Sequence, residues 1–575
     1  MTAELPVMPL GIRLLNANTA LWDGDAEGAL AAFRALVAEA PAMRQARYGL
    51  ASALMAAGAA DEAARAIDEA RTLHALEVVG LTEVDLARCR SDAAYAAQVA
   101  DLFYGASMVA VASVIYGMAA AAGGHSLQSL ISHGLSLHHQ GRTEEAIAAF
   151  RVAADRTGDA AVAEFLLPAH FPAEDGVARH AAEARRWAAR FTAPRPEPAF
   201  DNAPADGRPL RIGYFTPSFT GTQARQFLVP LIASHDPQSV EVFLYPQAEE
   251  PFACGRPVTI RPIGRLADAE AAALIRGDRI DVLVDTWGHN AGGRLPLFAL
   301  RPAPVQVSWL NYMQTTGVDA IDWTVHSDTV DQIGMQDLFC EKIWRMGPVS
   351  APFRPDRPPP IVPTPMARNG YPTFASFNHP SKLTPVTIAL WSSILRRVPE
   401  AQLTLKYRYF KDPVLQAATA ARFAAHGIDP LRLQFQDHSA GDAYAAAFER
   451  IDLALDPTPA PGGTTTLEAL AHGVPVLTLA GDTYYSRIGV ELLAGAGLPD
   501  LIADSPADYV DKAVAITADA GRLQAVRDRV APGFAAAPYR DEAAMARRFE
   551  AGFREMFGLW SRGRAAAPIL CKASA

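Results

Sequence analysis

From residue 210 onward the apolar positions fall into short runs separated by longer mixed segments. Leu210–Thr216, Val240–Tyr245, Ile280–Val284 and Val305–Leu310 are rich in Val, Ile, Leu and aromatic residues and read as strands. A second set follows at Thr373–Phe377, Leu403–Tyr407, Leu431–Phe435, Ile451–Leu455 and Val474–Leu479. Helical segments lie between several of these strands. Such alternation predicts two parallel sheets flanked by helices. Ligands of such sheets bind beyond the carboxyl ends of the strands, so two facing sheets predict a cleft with both binding edges inside it.

The first 190 residues have a different texture. Gly24, Ala29, Phe33, Leu36 and Pro41 set a pattern whose first four members return 34 residues later as Gly58, Ala63, Ile67 and Ala70. Gly141, Ala146, Phe150 and Ala153 show it a third time, and Ala17, Ala51 and Gly134 each precede their glycine by seven residues. This is the helix–turn–helix spacing of tetratricopeptide repeats. An ordinary Ala-rich array of helical hairpins would read similarly. Either way the prediction is an α-solenoid with a concave binding surface.

Residues 102–124 carry no charge and are long enough for a membrane span. They are also rich in Ala, Gly and Ser, hold Tyr104 and Tyr116, and lack a basic flank. A buried helix or helix pair is therefore expected, with a homodimer face as the next reading. Phe191–Pro209 is Pro-rich without apolar period and reads as a linker. The expected organisation is a helical domain at 1–190, a linker at 191–209, and two sheet-based halves at 210–365 and 366–535. A closing helix that packs back, plus a tail, follows at 536–575.

Composition narrows the function. The formal charge is −10, which argues against nucleic acid or an anionic membrane as main partner. The four cysteines are scattered and form no CxxC pair, so no zinc site or disulfide framework is expected. The first residues lack a basic segment followed by an apolar core, and a reducing cytoplasm is the expected compartment. Lysine is scarce: only Lys342, Lys382, Lys406, Lys411, Lys512 and Lys572 stand against abundant Arg, a balance that resembles the codon bias of a GC-rich bacterium. A lysine kept in that background points to chemistry that arginine does not replace.

The segment from Pro457 to Pro475 is the most informative. The strand at Ile451–Leu455 ends at Asp456, a Pro/Gly-rich turn follows, and Thr464-Thr465-Thr466 open a helix. A helix start offers unpaired N–H groups and the positive end of a dipole, which suit a phosphate. Gly462 and Gly463 let the backbone approach closely. Thr464 and Thr465 add hydroxyls, and Glu468 stands one turn further in, where it could accept from ribose hydroxyls. A plain capped helix after a strand fits the same residues.

Three ordered segments then resemble one family. Residues 455–489, LDPTPAPGGTTTLEALAHGVPVLTLAGDTYYSRIG, look like the nucleotide-diphosphate segment of glycosyltransferase family 41. That family contains the protein O-linked N-acetylglucosamine transferases and the SPINDLY-type O-fucosyltransferases. Residues 297–323 look like its second signature. Phe377-Asn-His-Pro-Ser-Lys-Leu-Thr-Pro385, with Trp391 and Val398-Pro399, looks like a third. The resemblance covers roughly residues 180 to 530. It implies a GT-B fold of two Rossmann-like halves, no essential metal, and a donor nucleotide held mainly by the C-terminal half.

The resemblance also implies site residues. Lys382 matches the lysine that contacts the donor phosphates, a role that a solvated lysine at a helix start would not have. Gly463, Thr464 and Thr465 would hold the same phosphates, and Glu468 the ribose. His379 falls near the donor, or caps its own turn. Tyr444 falls near the base, or is a helix-face tyrosine. Gly288-His289-Asn290 resembles a Gly-His-Thr segment, so His289 could touch sugar or acceptor, or be a loop histidine. Thr315-Thr316-Gly317 resembles a loop lining the cleft, and Arg301–Pro304 is expected to be architectural. Two departures stand out. Thr222 occupies the position of a histidine expected after the first strand. Gly441 and Ala447 replace a lysine and an arginine beside Tyr444.

The expected function is a metal-independent protein O-glycosyltransferase. It would use a UDP- or CMP-linked sugar, no other cofactor, and a protein acceptor held by the solenoid. Flagellin is the suggested acceptor, because repeats joined to such a catalytic half resemble bacterial flagellin-modifying enzymes. A non-catalytic adaptor with a degenerate catalytic half, and a GT-B enzyme acting on a small molecule or glycan, are the alternatives.

Overall fold

The computed structural model describes residues 9–570 except 42, 60, 64, 68, 71–78, 124–125, 158–161, 174–175, 193–197, 331–334 and 356–362. Contacts divide the chain into two compact units. One comprises residues up to Ser136 together with Arg408–Ala425, the other Leu137–Tyr407 together with His426–Ala575.

The first unit is helical. Leu10–Trp22 packs on Ala26–Glu39, which packs on Arg44–Ala56. The repeat positions form its core: Ala17, Ala29, Phe33, Leu36, Ala51, Ala63 and Ala70 are all buried. Gly24 and Gly58 take φ of 85° and 78° in the turns between helices, a conformation that glycine adopts without a Cβ penalty. Residues 102–121 are divided between the helices Ala93–Gly105 and Val109–Ala121. The break falls at Ser107, whose φ is 62°. Val109, Ala110, Val111, Ala112, Ile115 and Tyr116 are buried within the chain, so the apolar surface of the second helix is used internally. No helix among the described residues is long and apolar enough to cross a membrane.

Asp412 joins two helix starts in this unit. Its carboxylate accepts from the Val414 N–H at 2.9 Å, capping Pro413–Ala424. It also accepts from the Ala110 N–H at 2.7 Å, at the start of Val109–Ala121. Both groups of donors would otherwise be orphans.

The second unit opens with further helices, Thr143–Thr157, Ala163–Ala169 and Gly176–Phe191. The third copy of the repeat lies here, with Gly141 at φ 78° and Ala146, Phe150 and Ala153 buried. Contacts part the chain at Ser136, ahead of the Pro-rich stretch 191–209. The reason is packing: Ala184, Trp187 and Ala188 bury against Phe298, Val318 and Ile321. Part of that stretch, 193–197, lies outside the described residues.

Two parallel sheets follow. The first contains β1 (Leu210–Thr216), β2 (Val240–Pro246), β3 (Thr259–Ile260), β4 (Val282–Asp285), β5 (Val305–Ser308), β6 (Trp323–His326) and β7 (Lys342–Arg345). The second contains β8 (Thr373–Ser376), β9 (Gln402–Lys406), β10 (Leu433–Gln436), β11 (Leu453–Leu455), β12 (Val476–Leu479) and β13 (Ile502–Ala503). A last strand, β14 (Ile569–Leu570), returns to the first sheet and pairs with β7. The orders are β14-β7-β6-β5-β4-β1-β2-β3 and β10-β9-β8-β11-β12-β13, with every pair parallel. This is the pair of doubly wound halves that defines a GT-B fold. Each order reverses direction beside its first strand, where ligands of such sheets bind.

The helix Glu542–Ser561 leaves the second sheet and buries Met545, Phe549, Phe553, Met556 and Phe557. Phe549 packs edge-on to Trp309 at 4.7 Å and to Trp344 at 5.4 Å between ring centres. A Cβ on Gly552 would come within 2.1 Å of the Trp344 ring, so the missing side chain lets this helix lie close.

Asp412→Ala leaves N–H groups at two helix starts without an acceptor. It is expected to destabilise the helical unit by about 2–3 kcal/mol, read as a fall in the midpoint of its thermal unfolding. Asp412→Asn, which keeps an acceptor oxygen, should lose less.

Candidate functional site

A cavity of about 430 Å³ lies between the carboxyl edges of the two sheets. From the first sheet its wall takes Asn290, Trp309, Asn311 and Ser350. From the second it takes Phe377, Asn378, His379, Lys382, Pro461, Gly463, Thr464 and Thr465. His138 and Phe171 contribute from the helices that precede the sheets.

The turn after β11 is built around Asp456. Its carboxylate accepts from the Gly462 N–H at 3.0 Å and the Thr466 hydroxyl at 3.0 Å. Burial raises the Asp456 pKa to about 6, those hydrogen bonds and the Lys382 charge acting against it. A Cβ on Gly462 would meet the Thr466 and Thr465 hydroxyls at 2.4 and 2.5 Å, so only glycine fits that bend. At Gly463 the nearest atom to such a Cβ is Ile488 Cγ2 at 3.9 Å, which leaves open space beside the backbone. The helix Thr464–Ala471 begins there, and no side chain caps it. Its first N–H donors therefore stand at the cavity wall without a side-chain acceptor.

Lys382 comes from the turn after β8. Its ammonium donates to the Pro461 carbonyl at 2.6 Å and to Asn378 Oδ1 at 3.3 Å. The Thr465 hydroxyl donates to the same Asn378 oxygen at 3.1 Å. Two loops separated by some eighty residues are thus tied together at the cavity. Burial pushes the Lys382 pKa down to about 8, partly offset by the Asp456 charge.

His379 also lines the cavity. Its Nδ1 accepts from the Ser381 N–H at 3.0 Å, capping its own turn, and its Nε2 meets His139 Nδ1 at 3.0 Å. Tyr444 and Glu468 stand together outside the lining, the phenol donating to the carboxylate at 2.6 Å. Gln226, from the first sheet's side, donates to the other Glu468 oxygen at 3.4 Å. Burial and the adjacent Glu468 carboxylate raise the Tyr444 pKa.

Two expected catalytic positions are not brought to the cavity. Thr222 is exposed and does not line it, whereas its neighbour Gln223 does. His289 is 2% exposed, packs edge-on to Trp187 at 4.6 Å, and donates from Nε2 to the Thr316 carbonyl at 2.7 Å. Burial pushes its pKa down to about 4. The turn presents Asn290 instead, and Gly288 within it lies against the Tyr312 ring. Thr315–Gly317 is likewise internal: Glu341 accepts from the Thr315 hydroxyl at 2.8 Å and the Thr316 N–H at 2.7 Å. Gly317 abuts the Ala184 backbone. Arg301 is architectural, donating to the Ala320 carbonyl and to Asp322, both at 2.8 Å.

Other wall residues escaped the sequence reading. Asn378 lies inside the Phe377–Pro385 motif, but its place between Lys382 and Thr465 shows only in the structure. Glu491 is buried at the wall and accepts from the Ser327 hydroxyl at 2.8 Å and the Ser350 N–H at 2.7 Å. His138 ends the helix Leu127–His138, with no sequence signal beyond its neighbour His139. Among the described residues no group of three or more His, Cys, Asp or Glu side chains is placed to hold a metal.

Comparison with known proteins agrees with this geometry. The profile described as Glycosyl transferase family 41 matches residues 193–349 and 367–541, more than half of the chain. A protein of Oryza sativa subsp. japonica named probable UDP-N-acetylglucosamine–peptide N-acetylglucosaminyltransferase SPINDLY is 32% identical over 396 residues. The match covers 67% of this chain and 43% of that protein. The Arabidopsis thaliana protein of the same name is 30% identical over 395 residues, 66% of this chain and 43% of its own. The chain thus spans less than half the length of these curated relatives. A solved mutant of the Thermobaculum terrenum O-GlcNAc transferase superposes with a TM-score of 0.74 at 27% identity. It covers 96% of this chain and 98% of its own. With the two doubly wound sheets facing one cavity, these matches establish that the chain belongs to glycosyltransferase family 41.

Proposed function

We propose that the protein transfers a sugar from a nucleotide donor to a serine or threonine hydroxyl of a protein acceptor. The observation that carries this reading is the convergence of the Lys382 ammonium and the uncapped start of Thr464–Ala471 on one wall of the cavity. Sugar transfer expels a phosphate whose charge grows as the glycosidic bond breaks. Donors already fixed where that charge develops stabilise it at no cost of reorganisation. In this reading Lys382 exchanges its contact with the Pro461 carbonyl for a phosphate oxygen. The Thr464 and Thr465 amides and hydroxyls take the others, and Glu468 turns from Tyr444 and Gln226 to the ribose.

The nucleotide is UDP or CMP. The names of the curated relatives support a UDP-linked sugar, while Gly441 and Ala447 offer no cationic contact beside Tyr444 and so favour a donor of lower charge. The repeats are the proposed acceptor-binding surface, flagellin the first acceptor to test, and the cytoplasm the compartment.

Lys382→Ala should lower sugar transfer by about 10²–10³-fold. Mass spectrometry of acceptor proteins from cells carrying either form measures this. Equal modification in both strains would favour the non-catalytic adaptor instead.

The lowered lysine pKa gives binding a defined pH dependence. The ammonium is charged below about 8 and loses its proton as the pH rises through that value. Only the charged form attracts phosphate. Affinity for UDP, measured calorimetrically, should be flat from about pH 7, above the second ionisation of the terminal phosphate, to about pH 8 and weaken about tenfold per unit above it. Lys382→Met should remove that dependence.

A further inference from the structure

We infer that His138 is a catalytic residue of this cavity, the group that takes the proton from the acceptor hydroxyl. The inference rests on the reading of the protein as a glycosyltransferase. An acceptor hydroxyl is a poor nucleophile until a base relieves it of its proton. The position where the resemblance implies a base holds Thr222, which is exposed and outside the lining. His289 is turned away and bonded to the Thr316 carbonyl. Glu491 is at the wall, but both its oxygens accept from Ser327 and Ser350. Lys382 is committed to the phosphate side through Pro461 and Asn378.

Two imidazoles remain on the wall, and they differ. His379 is engaged at both nitrogens: Ser381 fixes Nδ1 as the acceptor, so Nε2 carries the proton and donates it to His139. His138 stacks on His379 with ring centres 5.8 Å apart and planes 28° apart, and lies 5.8 Å from the His139 ring. Its Nδ1 is buried and has no hydrogen-bond partner. Other buried polar atoms of the described residues also have no partner, both nitrogens of His326 and Nδ1 of His180 among them, but of these histidines His138 alone lines the cavity. The ionisable groups lining the same cavity are His379, Lys382, Tyr407, Tyr484, Tyr485 and Glu491. None is a carboxylate left to accept a proton. Burial keeps His138 neutral, its pKa pushed down to about 4, so it is in the proton-accepting form at neutral pH.

The step balances without a further reactant. The acceptor oxygen bonds to the anomeric carbon of the sugar. The bond from that carbon to the donor phosphate breaks, and its electron pair stays on the phosphate oxygen. The hydroxyl proton passes to the His138 imidazole, and the imidazolium later gives it to solvent. Positive charge appears on His138 as negative charge appears on the phosphate held by Lys382, so the two changes favour one another.

The test uses the full chain with a nucleotide sugar and an acceptor that the unmodified protein modifies. His138→Asn and His138→Ala should each lower kcat by 10²-fold or more with UDP affinity unchanged. Added imidazole should restore part of the activity of His138→Ala but none of Lys382→Ala, and the acidic limb of the kcat/KM profile should disappear in both His138 variants. Activity of either variant within about threefold of the original, or a loss that imidazole does not repair while the acidic limb persists, overturns the assignment. An original protein that binds UDP yet transfers no sugar to any acceptor sinks the glycosyltransferase reading itself, and this role with it.

Discussion

The Lys382 ammonium, bonded to the Pro461 carbonyl and to Asn378, is the contact on which the site depends. It places one of the few lysines of the chain against the start of the helix Thr464–Ala471. Each element alone is weak: an uncapped helix start carries only partial charge, and a single lysine in water is well solvated. Side by side at the wall of one cavity they reinforce one another, because Coulomb interactions strengthen as the effective dielectric falls. Burial lowers the lysine pKa for the same reason, so the charge is costly to hold there.

The surrounding fold keeps those groups in place. Asp456 organises the turn below them, and Glu491 ties Ser327 and Ser350 of the first half to the second. Gln226, on a π-helical turn at Ala224–Leu228, reaches Glu468 across the cleft. Such turns add one residue to a helix and often mark functional positions. The helix Glu542–Ser561 fastens the end of the chain to Trp309 and Trp344, and β14 adds a strand to the first sheet. The two halves therefore share an apolar core that runs from Leu210 to Ile569.

Much of this was legible in the sequence. Nine apolar runs match strands of the two sheets to within a few residues, because buried parallel strands are apolar at nearly every position. The repeat glycines were legible since their positive φ is a backbone demand. The strands at Trp323–His326 and Lys342–Arg345 were not: each is four residues long and carries polar or charged side chains, so no period announces it. The same limit applies to the site. Lys382, His379, Gly463, Thr464 and Thr465 could be placed because they sit in contiguous motifs at strand ends. His289 sat in such a motif too, but whether a loop side chain turns inward depends on the Tyr312 ring and the Thr316 carbonyl, which come from another loop. His138 reaches the wall from a distant helix, and nothing local to it records that approach.

A crystal structure of the protein with UDP decides whether Lys382 and the helix start at Thr464 hold a phosphate. The phosphates are expected at the start of Thr464–Ala471, within hydrogen-bond distance of the Thr464 and Thr465 N–H groups, with the Lys382 ammonium moved from the Pro461 carbonyl to a phosphate oxygen. A nucleotide bound elsewhere, or one bound here while Lys382 still holds Pro461 and touches no phosphate, would contradict that role.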